Sequence, residues 1–142
     1  MAPNIRMQQI ASKMALFRGL APEDVAKIFA RGMTMQVSKG EVIFKKGTTG
    51  SQMYVVLGGK VAIFDGQKQI ASLSVGDMFG EMALISSEPR SATAVAEEAS
   101  HLYVLNETTF QRLMTKRVAI RILLNVIGTL SQRLREVNKR LA

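Results

Sequence analysis

The sequence has no cysteine, no tryptophan and a single histidine, His101, among its 142 residues. Disulfide frameworks, thiolate zinc sites, cysteine nucleophiles and multi-histidine metal sites are thereby excluded together, so no metal or prosthetic group is expected. No apolar run approaches the roughly 18 residues that a membrane span needs. Polar side chains are scattered through residues 1–16, which leaves no uninterrupted apolar segment for a secretory signal. A cytoplasmic location is the expectation. Acidic residues are scarce as well, 11 against 19 basic ones, for a formal charge of +8. Such an excess points to an anionic partner, either nucleic acid or a phosphorylated ligand.

The charge is unevenly placed. Residues 1–36 carry +3, residues 37–105 carry −1 and residues 106–142 carry +6. The nearly neutral middle is rich in Gly, Val and Thr, so the pattern predicts helical ends around a β centre. An apolar fraction of 47% in a chain of this length is enough for one domain with one core.

Apolar residues recur at helical spacing over residues 10–28, and Pro22, followed by Glu23 and Asp24, suits the first turn of a short helix. The centre shows two-residue alternation instead: Val42 with Phe44, Met53 with Val55 and Leu57, Val61 with Ile63, Ala71 with Leu73 and Val75, Leu102 with Val104. Glycines separate these runs, and Asp65-Gly66 signals a hairpin turn. Short strands at this spacing predict a small sandwich or barrel over residues 37–105, with N-terminal helices over 1–36 and C-terminal helices over 106–142.

The last segment contains a short helix over 107–115, with Asn106 as N-cap, and a longer one over 118–141. In the longer helix Ile120, Leu123, Ile127, Leu130, Leu134, Val137 and Leu141 keep an unbroken three-four spacing, the pattern of a coiled-coil seam. A symmetric homodimer through this helix is predicted, with Ile122, Leu124 and Val126 as a second apolar flank turned to the barrel.

The stretch FGEMALISSEPRSATAVA, residues 79–96, carries the chemistry. A strand ends and turns near Gly80, and one helical turn over 81–84 offers amide groups that lack intrahelical partners. Nine residues after Glu81 comes Arg90, whose planar fork of donors suits a phosphate, while a carboxylate nearby can accept from sugar hydroxyls. Ser91 adds a hydroxyl, and the small residues Ala92, Thr93 and Ala94 let a ligand lie close to the backbone. The competing reading is a surface Glu81–Arg90 ion pair on a loop shaped by glycine and proline.

This eighteen-residue pattern resembles the phosphate-binding cassette of the cyclic nucleotide-binding domain family, of the catabolite activator and protein kinase A regulatory subunit type. Upstream, KGEVIFKKGTTGSQMYVVLGGKVAIF over 39–64 is similar to the family's first hairpins, and the likeness runs from about residue 16 to the C-terminus. The resemblance implies an α+β fold: an antiparallel β jelly-roll with an N-terminal helical segment and two C-terminal helices that respond to ligand. It implies that Glu81 takes the ribose 2′-hydroxyl and Arg90 pairs with the cyclic phosphate. Amides around Gly80, Met82, Ala83 and Ala92 complete the cradle, and Ser91 donates to a phosphate oxygen. Phe79, Leu84 and Val95 are structural in that pattern. Serine at position 91 places cAMP ahead of cGMP, because cGMP binders of the family often carry threonine there. The base contact is expected from the last helix, where Arg133, Arg135 and Asn138 are the candidates.

The expected activity is binding, since no nucleophile, base and orienter set is evident. A transcription factor would continue into a helix-turn-helix module, and none is present in this chain. A stand-alone sensor, a truncated transcription factor and the regulatory domain of a channel or kinase are the alternatives, with the Met1 start and the self-contained N-terminal helices favouring a complete small protein. A cyclic dinucleotide is the alternative ligand. A cupin enzyme shares the jelly-roll but needs several histidines.

Overall fold

The computed structural model describes residues 17–84, 88–113 and 115–141; most of the helical segment expected ahead of Pro22 lies outside them. After a turn at Phe17 come helix α1 (Pro22–Arg31) and the strands β1 (Met33–Val37), β2 (Val42–Phe44), β3 (Gln52–Gly58), β4 (Val61–Asp65), β5 (Lys68–Leu73) and β6 (Met78–Phe79). A 3-10 turn (Glu81–Leu84) follows, then β7 (Thr93–Ala96), β8 (Ser100–Asn106), α2 (Glu107–Leu113) and α3 (Lys116–Leu141). Pro22 opens α1 with Glu23 and Asp24 in the first turn, where fixed φ and negative charge are both favourable. Asn106 caps α2, its Oδ1 accepting from the Thr109 amide at 2.7 Å.

The strands form two antiparallel four-stranded sheets, ordered β1-β8-β3-β6 and β2-β7-β4-β5. The hairpin at Asp65-Gly66 joins β4 to β5, Asp65 pairing with Lys68 and Gly66 taking φ 63°. Val75, read from alternation as strand, lies in the turn after β5. β1 begins at Met33, inside the segment expected to be helical. Its first four residues are exposed, so no inward apolar alternation marked it, and its pairing with β8 makes it a strand.

Apolar side chains gather on both sides of the first sheet. Val37, Val56, Val61, Phe79, Ala94 and Leu102 fill the space between the sheets. Met53, Val55, Tyr103 and Leu105 point the other way, onto Phe17, Ile28, Phe110 and the α3 residues Val118, Ile122 and Val126. Leu84 of the 3-10 turn belongs to this second cluster, so the turn is packed directly against the layer that carries α3. Arg117 bridges to Asp24 at 3.0 Å, and Asn125 Nδ2 donates to the Arg18 carbonyl at 2.9 Å, tying the first half of α3 to α1 and the turn before it.

Along α3 the barrel takes Ile122 and Val126, as expected, and Leu123 and Leu130 pack partly against the core. Leu124 points outward and is exposed, a correction to its place on the barrel-facing flank. The fully outward stripe is therefore Ile120, Leu124, Ile127, Ser131, Leu134, Asn138 and Leu141, again at three-four spacing. It shares four members with the stripe read from sequence and replaces Leu123 and Leu130, which pack partly against the core, and Val137, which is 49% exposed but stands on the same side of the helix as Leu130.

Candidate functional site

β6 is only two residues long and delivers the chain to Gly80, where φ is 74°, a conformation that glycine adopts without strain. The 3-10 turn starts at the next residue, and within it the Ala83 amide donates to the Gly80 carbonyl at 3.2 Å. Ala83 and Leu84 are buried, whereas Met82 is exposed. The side chain of Glu81 lies outside what the structure describes.

Arg90 is fixed from several directions. Its amide donates to the Thr48 carbonyl and its carbonyl accepts from the Gly47 amide, both at 2.8 Å, so the backbone is laced to the loop after β2. In the side chain, Nη1 donates to the Gly80 carbonyl at 3.2 Å and Nη2 to the Gln52 carbonyl at 2.7 Å. The guanidinium carbon stands 4.2 Å from the centre of the Phe44 ring. Gly50 passes so close that a Cβ there would lie 2.5 Å from Nη2, and a Cβ on Gly80 would lie 2.7 Å from Nη1. Phe44 in turn packs on Tyr54 and Phe79, with ring centres 5.9 and 6.0 Å away. Burial pushes the Tyr54 phenol above its usual range, and the nearby Arg90 charge opposes that shift.

These groups line a cavity of about 620 Å³, well within the size of small-ligand clefts. Gly80, Met82, Ala83, Arg90, Ser91 and Ala92 form one wall, with Glu88 and Pro89 beside them. Ile63, Ile70 and Leu73 give an apolar side from β4 and β5. The facing wall comes from α3: Leu130, Arg133, Glu136, Val137 and Arg140. Arg133 Nη2 also donates to the Met78 carbonyl at 2.9 Å, joining the helix to the strand that feeds the Gly80 turn. A second hollow of about 370 Å³, between Gly19 and the first half of α3, contains none of the cassette residues.

Six of the cassette residues expected from sequence, Gly80, Met82, Ala83, Arg90, Ser91 and Ala92, thus come together on one cavity, while the side chain of Glu81 lies outside the described residues. Arg133 reaches the cavity, but Arg135 and Asn138 are exposed on the outward side of α3 and do not line it. At about 100° per residue, a helix that turns Arg133 inward must turn those two away. Glu136, Val137 and Arg140 were missed. The signal was present in the spacing, since Ile122, Val126, Leu130, Arg133, Val137 and Arg140 form one face, the buried stripe continuing in polar side chains. Phe44, Gly50 and the Gln52 carbonyl were also missed, because they lie some 40 residues before Arg90 and only the sheet brings them near.

The model of the cyclic nucleotide-binding domain matches residues 34–117, more than half of the chain. The chain belongs to that family. Among solved structures, the Thermus thermophilus catabolite activator protein superposes on this cyclic nucleotide-binding domain with a TM-score of 0.80 at 34% identity, over 89% of this chain and 61% of the other. In sequence, the cyclic AMP receptor protein of Thermus thermophilus is 36% identical over 87% of this chain and 58% of its own length. A cGMP-dependent protein kinase of Eimeria tenella is 32% identical over 74% of this chain and 11% of its own. The domain spans less than two thirds of each of these relatives.

Proposed function

We propose that this domain holds a 3′,5′-cyclic nucleotide, cAMP ahead of cGMP, in the cavity between the Gly80 turn and α3, and that it acts as a receptor and not as an enzyme. The observation that carries the reading is Arg90, clamped by two backbone carbonyls on the cavity wall beside the glycine turn. A guanidinium fixed in advance binds phosphate without first losing side-chain freedom. Following the family pattern, Glu81 takes the ribose 2′-hydroxyl, Ser91 and the amides around Gly80, Met82, Ala83 and Ala92 support the phosphate, and the apolar side formed by Ile63, Ile70 and Leu73 receives the base. Arg133, Glu136 and Arg140 face the base from α3. The outward stripe of α3 closes a homodimer, with the polar Ser131 and Asn138 setting its register.

Titration of the wild type and Arg90→Ala with cAMP and cGMP by calorimetry tests the reading. Removing the arginine leaves a half-desolvated phosphate underpaired, which costs about 2–5 kcal/mol. Affinity is expected to fall roughly 30-fold to several-thousand-fold. Equal affinities, or tight binding of a cyclic dinucleotide in place of either ligand, would overturn the assignment.

A further inference from the structure

Arg90 is charged and half-buried, and its guanidinium carbon lies over an aromatic ring, 4.2 Å from the centre of Phe44. A cation over a ring face is attracted by the ring's quadrupole, most strongly when both are partly removed from water. Phe44 is well placed for this. It ends β2, where the register with β7 slips between Val42 and Phe44, and the slip turns the ring toward the cavity instead of continuing the regular alternation. Tyr54 and Phe79 stack on each other with centres 5.1 Å apart, and both rings pack on Phe44. Gly50 crosses on the guanidinium side, where any Cβ would collide with Arg90. The two carbonyl contacts hold the Nη1 and Nη2 ends of the guanidinium, and the Phe44 ring is the group that lies over its central carbon.

We propose that Phe44 is the positioning residue for Arg90, its ring setting the plane in which the guanidinium meets the phosphate. The assignment rests on the proposed function for its effect on ligand, though not for its effect on Arg90 itself. Phe44 touches no ligand phosphate in this scheme and acts through the arginine. A residue that served only as core filler would contribute equally whether or not Arg90 were present.

Two readouts test this. First, the Arg90 Nε–Hε resonance of isotopically labelled protein without nucleotide should carry an upfield ring-current shift that Phe44→Leu removes and Phe44→Tyr keeps. Second, calorimetry with cAMP is run on wild type, Phe44→Leu, Phe44→Tyr, Arg90→Ala and the Phe44→Leu/Arg90→Ala double variant, each first checked for an intact melting transition. Phe44→Leu is expected to weaken binding by about three- to thirty-fold. Phe44→Tyr should stay within about twofold of wild type, and Phe44→Leu should add nothing once Arg90 is gone. An unchanged Arg90 resonance in Phe44→Leu, or the same loss of affinity in both backgrounds, overturns the proposal. Should the wild type bind neither cAMP nor cGMP while the resonance still responds to Phe44→Leu, the positioning role stands and the functional reading falls.

Discussion

Tyr103 lies in the middle of β8 with no solvent exposure, and its hydroxyl donates to the Ile28 carbonyl at 3.0 Å near the end of α1. A Cβ on Gly32 would run into its ring, so the chain can leave α1 and enter β1 this closely over the tyrosine only because position 32 is glycine. Burial pushes the Tyr103 phenol well above the usual tyrosine range, because the phenolate would have to sit in the apolar layer. A folded-state value above the unfolded one means that the folded protein holds this proton more tightly. The stability so gained is fully present below about pH 10, the unfolded tyrosine value, and is lost as pH rises beyond it. Thermal melts between pH 8 and 11.5 are therefore expected to be level at first and to fall steeply above about pH 10, with a shallower fall in Tyr103→Phe. Identical slopes for the two proteins would contradict the account. At this scale the sequence was legible where a residue's role is local: Gly80, Arg90 and Asn106 sit where their types demand. The clamp on Arg90 was not, because a backbone carbonyl at Gln52 carries no residue signature.

Among the elements, α3 shows how far periodicity reads and where it stops. Two stripes share Ile120, Ile127, Leu134 and Leu141, and the three-four spacing fits Leu123, Leu130 and Val137 as well as Leu124, Ser131 and Asn138. Which set faces out depends on where the barrel lies, and that is a tertiary fact. Short strands suffered similarly: β6 has two residues and β7 reads as a run of small side chains, so neither displays an alternation long enough to be seen. The two faces of α3 should respond to mutation in different ways. Ile122→Ala, at a fully buried site, is expected to cost about 2–5 kcal/mol in denaturant unfolding. Ile127→Lys and Leu134→Lys, both at exposed sites, should instead leave monomer folding intact and shift sedimentation from dimer to monomer. A monomeric wild type at micromolar concentration would remove the dimer from the proposed function.

Taken whole, the molecule carries its +8 balance at the two ends of its sequence, around a nearly neutral middle. The cavity draws on both, Arg90 and the glycine turn from the middle and Arg133 and Arg140, beside Glu136, from the basic α3. Leu84 of that turn shares a cluster with Phe110, Val118, Ile122 and Val126, and Arg133 is bonded to Met78 just before the turn. Ligand at the cassette should therefore be felt in α2 and α3. Saturating cAMP, at about 100 times its dissociation constant, is expected to add about 2.7 kcal/mol of stability and to slow hydrogen exchange over residues 107–141. Protection confined to the cassette would mean that no signal leaves it.

The placement of the cavity along α3 also has a mechanical side. With 26 residues the helix is about 39 Å long. Its cavity-facing residues, 130–140, lie roughly 20–36 Å from its start, whereas Ile122 and Val126 lie only about 9–15 Å along. A ligand that draws the far portion in by about 2 Å tilts the rod by some 4°, and the buried near portion then shifts by less than about 1 Å. The nucleotide would work at the long end of a lever pivoted at the start of the helix, with the core contacts on its short arm, so the buried residues move only about a third to a half as far as the cavity-facing ones.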